Sequence, residues 1–153
     1  MNKILLTLDE AAQLAFIDRE GCRGLLDENA ILVAQLSILK PLLGDLYHEI
    51  EEGRYPRFVA AYLKLPLALW IKSIVLQNSM AVPGALGAVR QSPPNLDAAS
   101  APQIAMAITA LRSQARVLME HALEHLDHNR ELYPGYVPMP RRRLRRILGG
   151  VIL

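Results

Sequence analysis

The chain has 153 residues, 52% of them apolar, 21% charged and only 5% aromatic. That length suits one domain with a single core, the apolar share excludes a disordered chain, and the scarcity of aromatic and β-branched runs turns the reading away from sandwiches and barrels. The formal net charge of +2 is uneven: without Arg141, Arg142, Arg143, Arg145 and Arg146 the rest holds 12 basic against 15 acidic residues, so it would not by itself attract a polyanion.

In chain order, Thr7-Leu-Asp-Glu10 has the form of a capping box and starts a short helix over Leu8 to Ile17. Gly21 and Gly24 interrupt the pattern. Asp27 then caps a helix whose inward positions Ile31, Leu32, Gln35/Leu36 and Leu39 recur at helical spacing, and which Pro41 ends or kinks. PLLGDLYHEIEEG reads as a third, short helix with Pro41 in its first turn, Gly44 as a mid-helix weakness and Gly53 as its stop. A long apolar helix runs from Tyr55-Pro56 to about Leu76, kinked at Pro66, with Trp70 as a core anchor. Its Lys64 and Lys72 count against a membrane span. Ser79 to Ser100, punctuated by Pro83, Gly84, Gly87, Pro93 and Pro94, reads as a long loop that can hold a small hairpin. A final helix over Pro102 to Asn129 carries the stripe Ile104, Ile108, Leu111, Ala115, Leu118, Ala122, Leu126. The expected fold is all-α: a compact bundle of about five helices over residues 1–136, with a projecting loop at 79–100 and a basic tail at 137–153.

Motifs of catalysis are scarce. No GxGxxG, P-loop, GxSxG or HExxH is present. The single cysteine, Cys22, rules out an intramolecular disulfide and suits a reducing compartment. The N-terminal segment is too short for a signal-peptide core, and the expectation is a soluble, unexported, non-enzymatic protein without cofactor or metal. His121, Glu124, His125 and His128 lie on adjacent turns, and His121 and His125 could share a metal ion, but no fourth ligand is evident and a helix edge at a contact is the plainer reading. Asp45, Glu49, Glu51 and Glu52 read as a solvated helix end rather than a catalytic pair.

The arginine tail leaves four readings open: a DNA arm, a segment lying on an anionic membrane or docked in a groove through Leu144, Ile147 and Leu148, β-addition of GGVIL to a partner's sheet, or a solvated tail.

From Leu39 to Tyr47, through Tyr55-Pro56 and the lysine-bearing apolar helix to Trp70, then GAVRQS, a long amphipathic helix and Asn129 to Pro134, the sequence resembles the small all-helical head-tail connector (adaptor, or neck) proteins of tailed bacteriophages. The resemblance spans roughly Ile31 to Tyr136. It implies a virion structural protein made in the host cytoplasm, forming an oligomeric ring, commonly of twelve copies, beneath the portal protein and against a tail or further neck protein. Genomic DNA would pass through the ring, and no membrane would be involved. By position it makes Val82, Pro83, Leu86, Val89 and Arg90 a subunit-interface loop, and Arg141, Arg142, Arg143, Arg145, Arg146, Val151, Ile152 and Leu153 contacts to portal, partner or DNA. The alternative expectation is a small helical DNA-binding protein that uses the arginine tail.

Overall fold

The structure is a computed structural model that describes residues 3–16, 26–81, 101–138 and 140. Five α-helices among the described residues form an all-α bundle: α1 (Leu8–Ala15), α2 (28–43), α3 (Asp45–Glu51), α4 (56–81) and α5 (Ala101–His128). Among the described residues there is no strand.

Local chemistry sets the boundaries. The capping box at α1 is formed, Glu10 N donating to Thr7 Oγ1 (3.2 Å) and Thr7 N to Glu10 Oε2 (3.0 Å). Asp27 Oδ1 accepts from Ala30 N at 2.5 Å and starts α2. Neither internal proline breaks its helix. Each follows a widened π turn, Gln35–Leu39 before Pro41 and Val59–Leu63 before Pro66, closed by Lys40 N to Gln35 O and Lys64 N to Val59 O. The carbonyls that a proline ring would strike in a regular helix, those of Ser37 and Tyr62, lie within these turns, so one extra residue per turn relieves the clash.

Pro41 therefore belongs to the end of α2, and the break falls at Gly44. Gly44 has φ 56° and ψ −128°, which separates α2 from α3 where one helix from Pro41 to Gly53 was expected. Gly53, at φ 95°, stops α3 with the paired bonds of a Schellman motif, Gly53 N to Ile50 O and Arg54 N to Glu49 O. α1 ends at Ala15, two residues early, and α4 reaches Ala81, so Ser79 to Ala81, expected in the loop, are helical. Val82 to Ser100, with the expected hairpin and interface residues Val82, Pro83, Leu86, Val89 and Arg90, lie outside the described residues, as do Cys22 and 141–153.

α4 is the central element, packing most extensively on α5 and also on α1 and α2. It is long and apolar enough to cross a bilayer, but here it is a core helix: Leu63, Leu67, Ala68 and Ile71 are buried, Lys64 Nζ meets Glu10 Oε1 at 2.5 Å, and Lys72 Nζ lies 5.5 Å from the Phe16 ring centre. That ion pair, and the Thr7 amide, hold the Glu10 carboxyl below its usual range.

One polar contact ties the N-terminal segment to the bundle. The fully buried Gln35 accepts from Leu5 N (2.9 Å) and donates to Lys3 O (2.8 Å) and to Tyr47 Oη (2.7 Å). Burial pushes the Tyr47 phenol up to about 12, against the Gln35 bond and with the Glu51 carboxylate adding.

Candidate functional site

α4 and α5 run antiparallel: Phe58 and Tyr62 face His125 at one end, while Arg112 reaches Ser73 and Gln77 further along. The pair therefore has two ends of different chemistry.

The first end is aromatic and acidic. Tyr55, Phe58 and Tyr62 sit at helical spacing over the start of α4, and α5 brings His121 and His125 against them. The His125 ring stacks on Tyr62 (4.4 Å between centres, 22°), with Phe58 at 5.8 Å and 16°. Tyr133 closes the cluster, 5.3 Å from Phe58 and 5.0 Å from Tyr55. Four of the chain's eight aromatic residues gather here, and ring stacking holds the cluster together.

His125 is held at both nitrogens. Nε2 stands 3.3 Å from Tyr133 Oη and Nδ1 3.4 Å from Asn129 Nδ2, whose amide also donates to His125 O at 2.8 Å. His128 Nδ1 lies 2.7 Å from Glu124 O in its own helix. The histidines thus serve stacking and backbone contacts, and among the described residues no three His, Cys, Asp or Glu side chains converge for a metal.

Tyr55 carries backbone strain. It has φ 57° and ψ 46°, a left-handed conformation unfavourable for a bulky side chain and unusual before proline. Its hydroxyl donates to Glu49 Oε2 at 3.0 Å, and that carboxylate also meets Arg54 at 3.4 Å; Arg54 Nε stands 3.8 Å from Glu52, and Glu51 lies 3.7 Å from His48 Nδ1. Burial, then Glu49, raises the Tyr55 phenol; burial also raises Tyr133 and Tyr136. Beside the cluster a groove of about 390 Å³ is lined by Tyr55, Pro56, Arg57, Phe58, Leu132 and Tyr133. Phe58 and Tyr133 are buried in its floor, while Leu132 is 63% exposed.

The second end is uncharged. From Ser73 to Ala81 on α4 and from Ala101 to Leu111 on α5 no residue carries a charge. Arg112, the first charge on α5, turns inward: Nε donates to Ser73 Oγ (3.2 Å), Nη2 to Gln77 Oε1 (2.5 Å), and the guanidinium stands 5.3 Å from the Trp70 ring. Trp70 is thus half-buried, packed against the core on one side and covered by an arginine on the other. The expected stripe divides. Ala115, Ala122 and Leu126 are buried, whereas Ile104, Ile108, Leu111 and Leu118 are only partly covered, and Met106 is 73% exposed.

The positions expected to act, the loop residues and the arginine tail, lie outside the described residues. The aromatic groove was not anticipated, although the 55, 58, 62 spacing was its signal. No family model, curated protein or solved structure matches the chain.

Proposed function

We propose that this chain is a structural subunit of a tailed-bacteriophage head-tail connector, an adaptor that joins further copies in a ring beneath the portal and leaves a channel for DNA. What carries the reading is the uncharged end of the α4–α5 pair, which leaves Met106 73% exposed and Ile104 and Ile108 incompletely covered. Apolar side chains left uncovered at an uncharged helix end are costly in water and ordinary at a subunit contact. The described residues hold 12 acidic and nine basic side chains, which supports a body that meets protein, with any DNA contact left to the arginine tail.

Electron micrographs and sedimentation of the purified chain test the proposal. At high protein concentration, or on virion partners, the chain forms rings. Met106→Asp, on an exposed helix position that leaves the core intact, weakens that association at least roughly tenfold by placing a charge in the contact. A stable closed dimer at micromolar concentration, indifferent to Met106→Asp, overturns it.

A further inference from the structure

α4 separates two outer faces of the molecule. On one side its Lys64 and Lys72 reach Glu10 in α1 and Phe16 just past its end; on the other its Tyr62, Ser73 and Gln77 meet α5. α1 and α5 each pack mainly on α4, so the outward side of α5 and the pocket where α1 and α2 begin lie on opposite sides of it. We propose that these two faces dock on one another between successive copies of the chain. The exposed stripe of α5 from Met106 to Val117, bordered by Arg116, packs over the pocket beside Asp9 and Glu28 of the next copy. The inference rests on the connector reading and names the surface that meets the Met106 end.

Each face leaves apolar surface uncovered. Met106, Ala110, Ser113 and Val117 recur at i, i+4, i+7 and i+11, on the side of α5 opposite the buried Ala115, Met119 and Ala122, and all four are exposed. Ala110 and Ser113 are small, so a second surface can approach the helix between the projecting Met106 and Val117. The other face holds a pocket of about 290 Å³, with buried Leu6 and Ile31 in its floor and exposed Leu8 at its wall. Leu14 on α1 and Val33 on α2 are exposed as well.

Charge selects the pairing, and it lies on the two faces themselves. The pocket lining includes two carboxylates, Asp9 and Glu28, and no basic residue, and neither carboxylate has an ion pair among the described residues. α5 is the complement: from Ala101 to Met119 it holds Arg112 and Arg116 and no acidic residue. Arg112 turns inward to Ser73 and Gln77, which leaves Arg116, next to Val117, without an ion pair among the described residues. First helical turns suit carboxylates in any case, so the two acids alone would select nothing. An apolar pocket rimmed only by acids and an apolar stripe bordered only by arginine select each other.

Placement agrees with charge. A ring uses two unlike patches on each copy, whereas a contact between like patches closes at a dimer. Here the unlike patches sit on either side of α4, so docking one on the other leaves both outer faces free to continue the series.

Sedimentation and electron micrographs of charge-reversed full chains test this, at the concentration where the parent chain associates. Arg116→Glu and Glu28→Arg each weaken association roughly tenfold, because each sets like charges across the contact. Neither side chain is buried, and far-ultraviolet circular dichroism verifies that both variants fold. An equimolar mixture of the two variants regains the parent's association, since alternating copies pair opposite charges at every contact; a damaged fold does not recover on mixing. Indifference to Glu28→Arg, or a mixture no better than either variant alone, overturns the proposal. Met106→Asp separates the two readings. If it weakens association while Glu28→Arg does not, the contact at Met106 stands and its docking on Asp9 and Glu28 falls. A chain that stays monomeric at high concentration and on virion partners overturns both.

Discussion

Replacing Gln35 by alanine removes a side chain that serves three partners at once. Gln35 is fully buried at the start of the α2 π turn, and its amide answers Leu5 N–H, Lys3 C=O and the Tyr47 hydroxyl at 2.7 to 2.9 Å. Each polar group left buried without a partner costs about 1–3 kcal/mol, and the contacts to Lys3 and Leu5 are only partly buried, so they fall at the low end. With the small cavity added, Gln35→Ala destabilises the chain by about 3–5 kcal/mol, a large part of the roughly 5–15 kcal/mol that holds a domain folded. Urea unfolding followed by circular dichroism measures this as a lower midpoint, and for a chain of this size the melting temperature drops by roughly 10 °C. Hydrogen exchange adds a local readout, since the Leu5 amide loses its acceptor and exchanges faster. Tyr47→Phe strands one Gln35 N–H donor, so the double variant is less destabilised than the sum of the two by about 1 kcal/mol. A loss below about 1 kcal/mol for Gln35→Ala, with an unchanged denaturant slope, would refute the claim that this amide fastens residues 3–5 to the bundle.

Two further outcomes follow from backbone and titration. Gly44→Ala meets no atom within 4 Å of its new Cβ, so the whole of its cost, about 1–3 kcal/mol in thermal unfolding, comes from φ 56°; a neutral effect would mean that α2 and α3 do not meet at this conformation. Tyr47 keeps its proton in the folded state up to about 12 while the unfolded phenol loses it near 10. The folded state then binds more protons between those values, so this contribution is intact below pH 10 and fades as pH rises through 12, by about 2–3 kcal/mol at most. Urea midpoints across that range fall for the parent chain and fall less steeply in Tyr47→Phe, where the raised Tyr55, Tyr133 and Tyr136 phenols still contribute.

Local signals in the sequence were enough for much of the architecture. Thr7 with Glu10, Asp27, and Gly53 act through bonds to backbone groups within five residues, and such contacts form wherever the chain brings them together. The all-α class followed from composition and period for the same reason. The prolines were a different matter: whether Pro41 and Pro66 stop, kink or widen a helix depends on what packs around the turn, and here the buried face of each helix continues through it. Gly44 read as a weakness until its φ placed the α2–α3 corner there.

The sites show the same division. Tyr55, Phe58, Tyr62, His121 and His125 are visible as two short helical spacings, but only the antiparallel docking of α4 on α5 stacks them. Likewise the stripe from Ile104 to Leu126 is uniform in sequence, yet packing against α4 buries Ala115, Ala122 and Leu126 and leaves Ile104 and Ile108 only partly covered. Periodicity records which residues share a face. Which part of that face is covered, and which part is left for a neighbour, is decided by where the other helices lie, and that depends on contacts far apart in the chain.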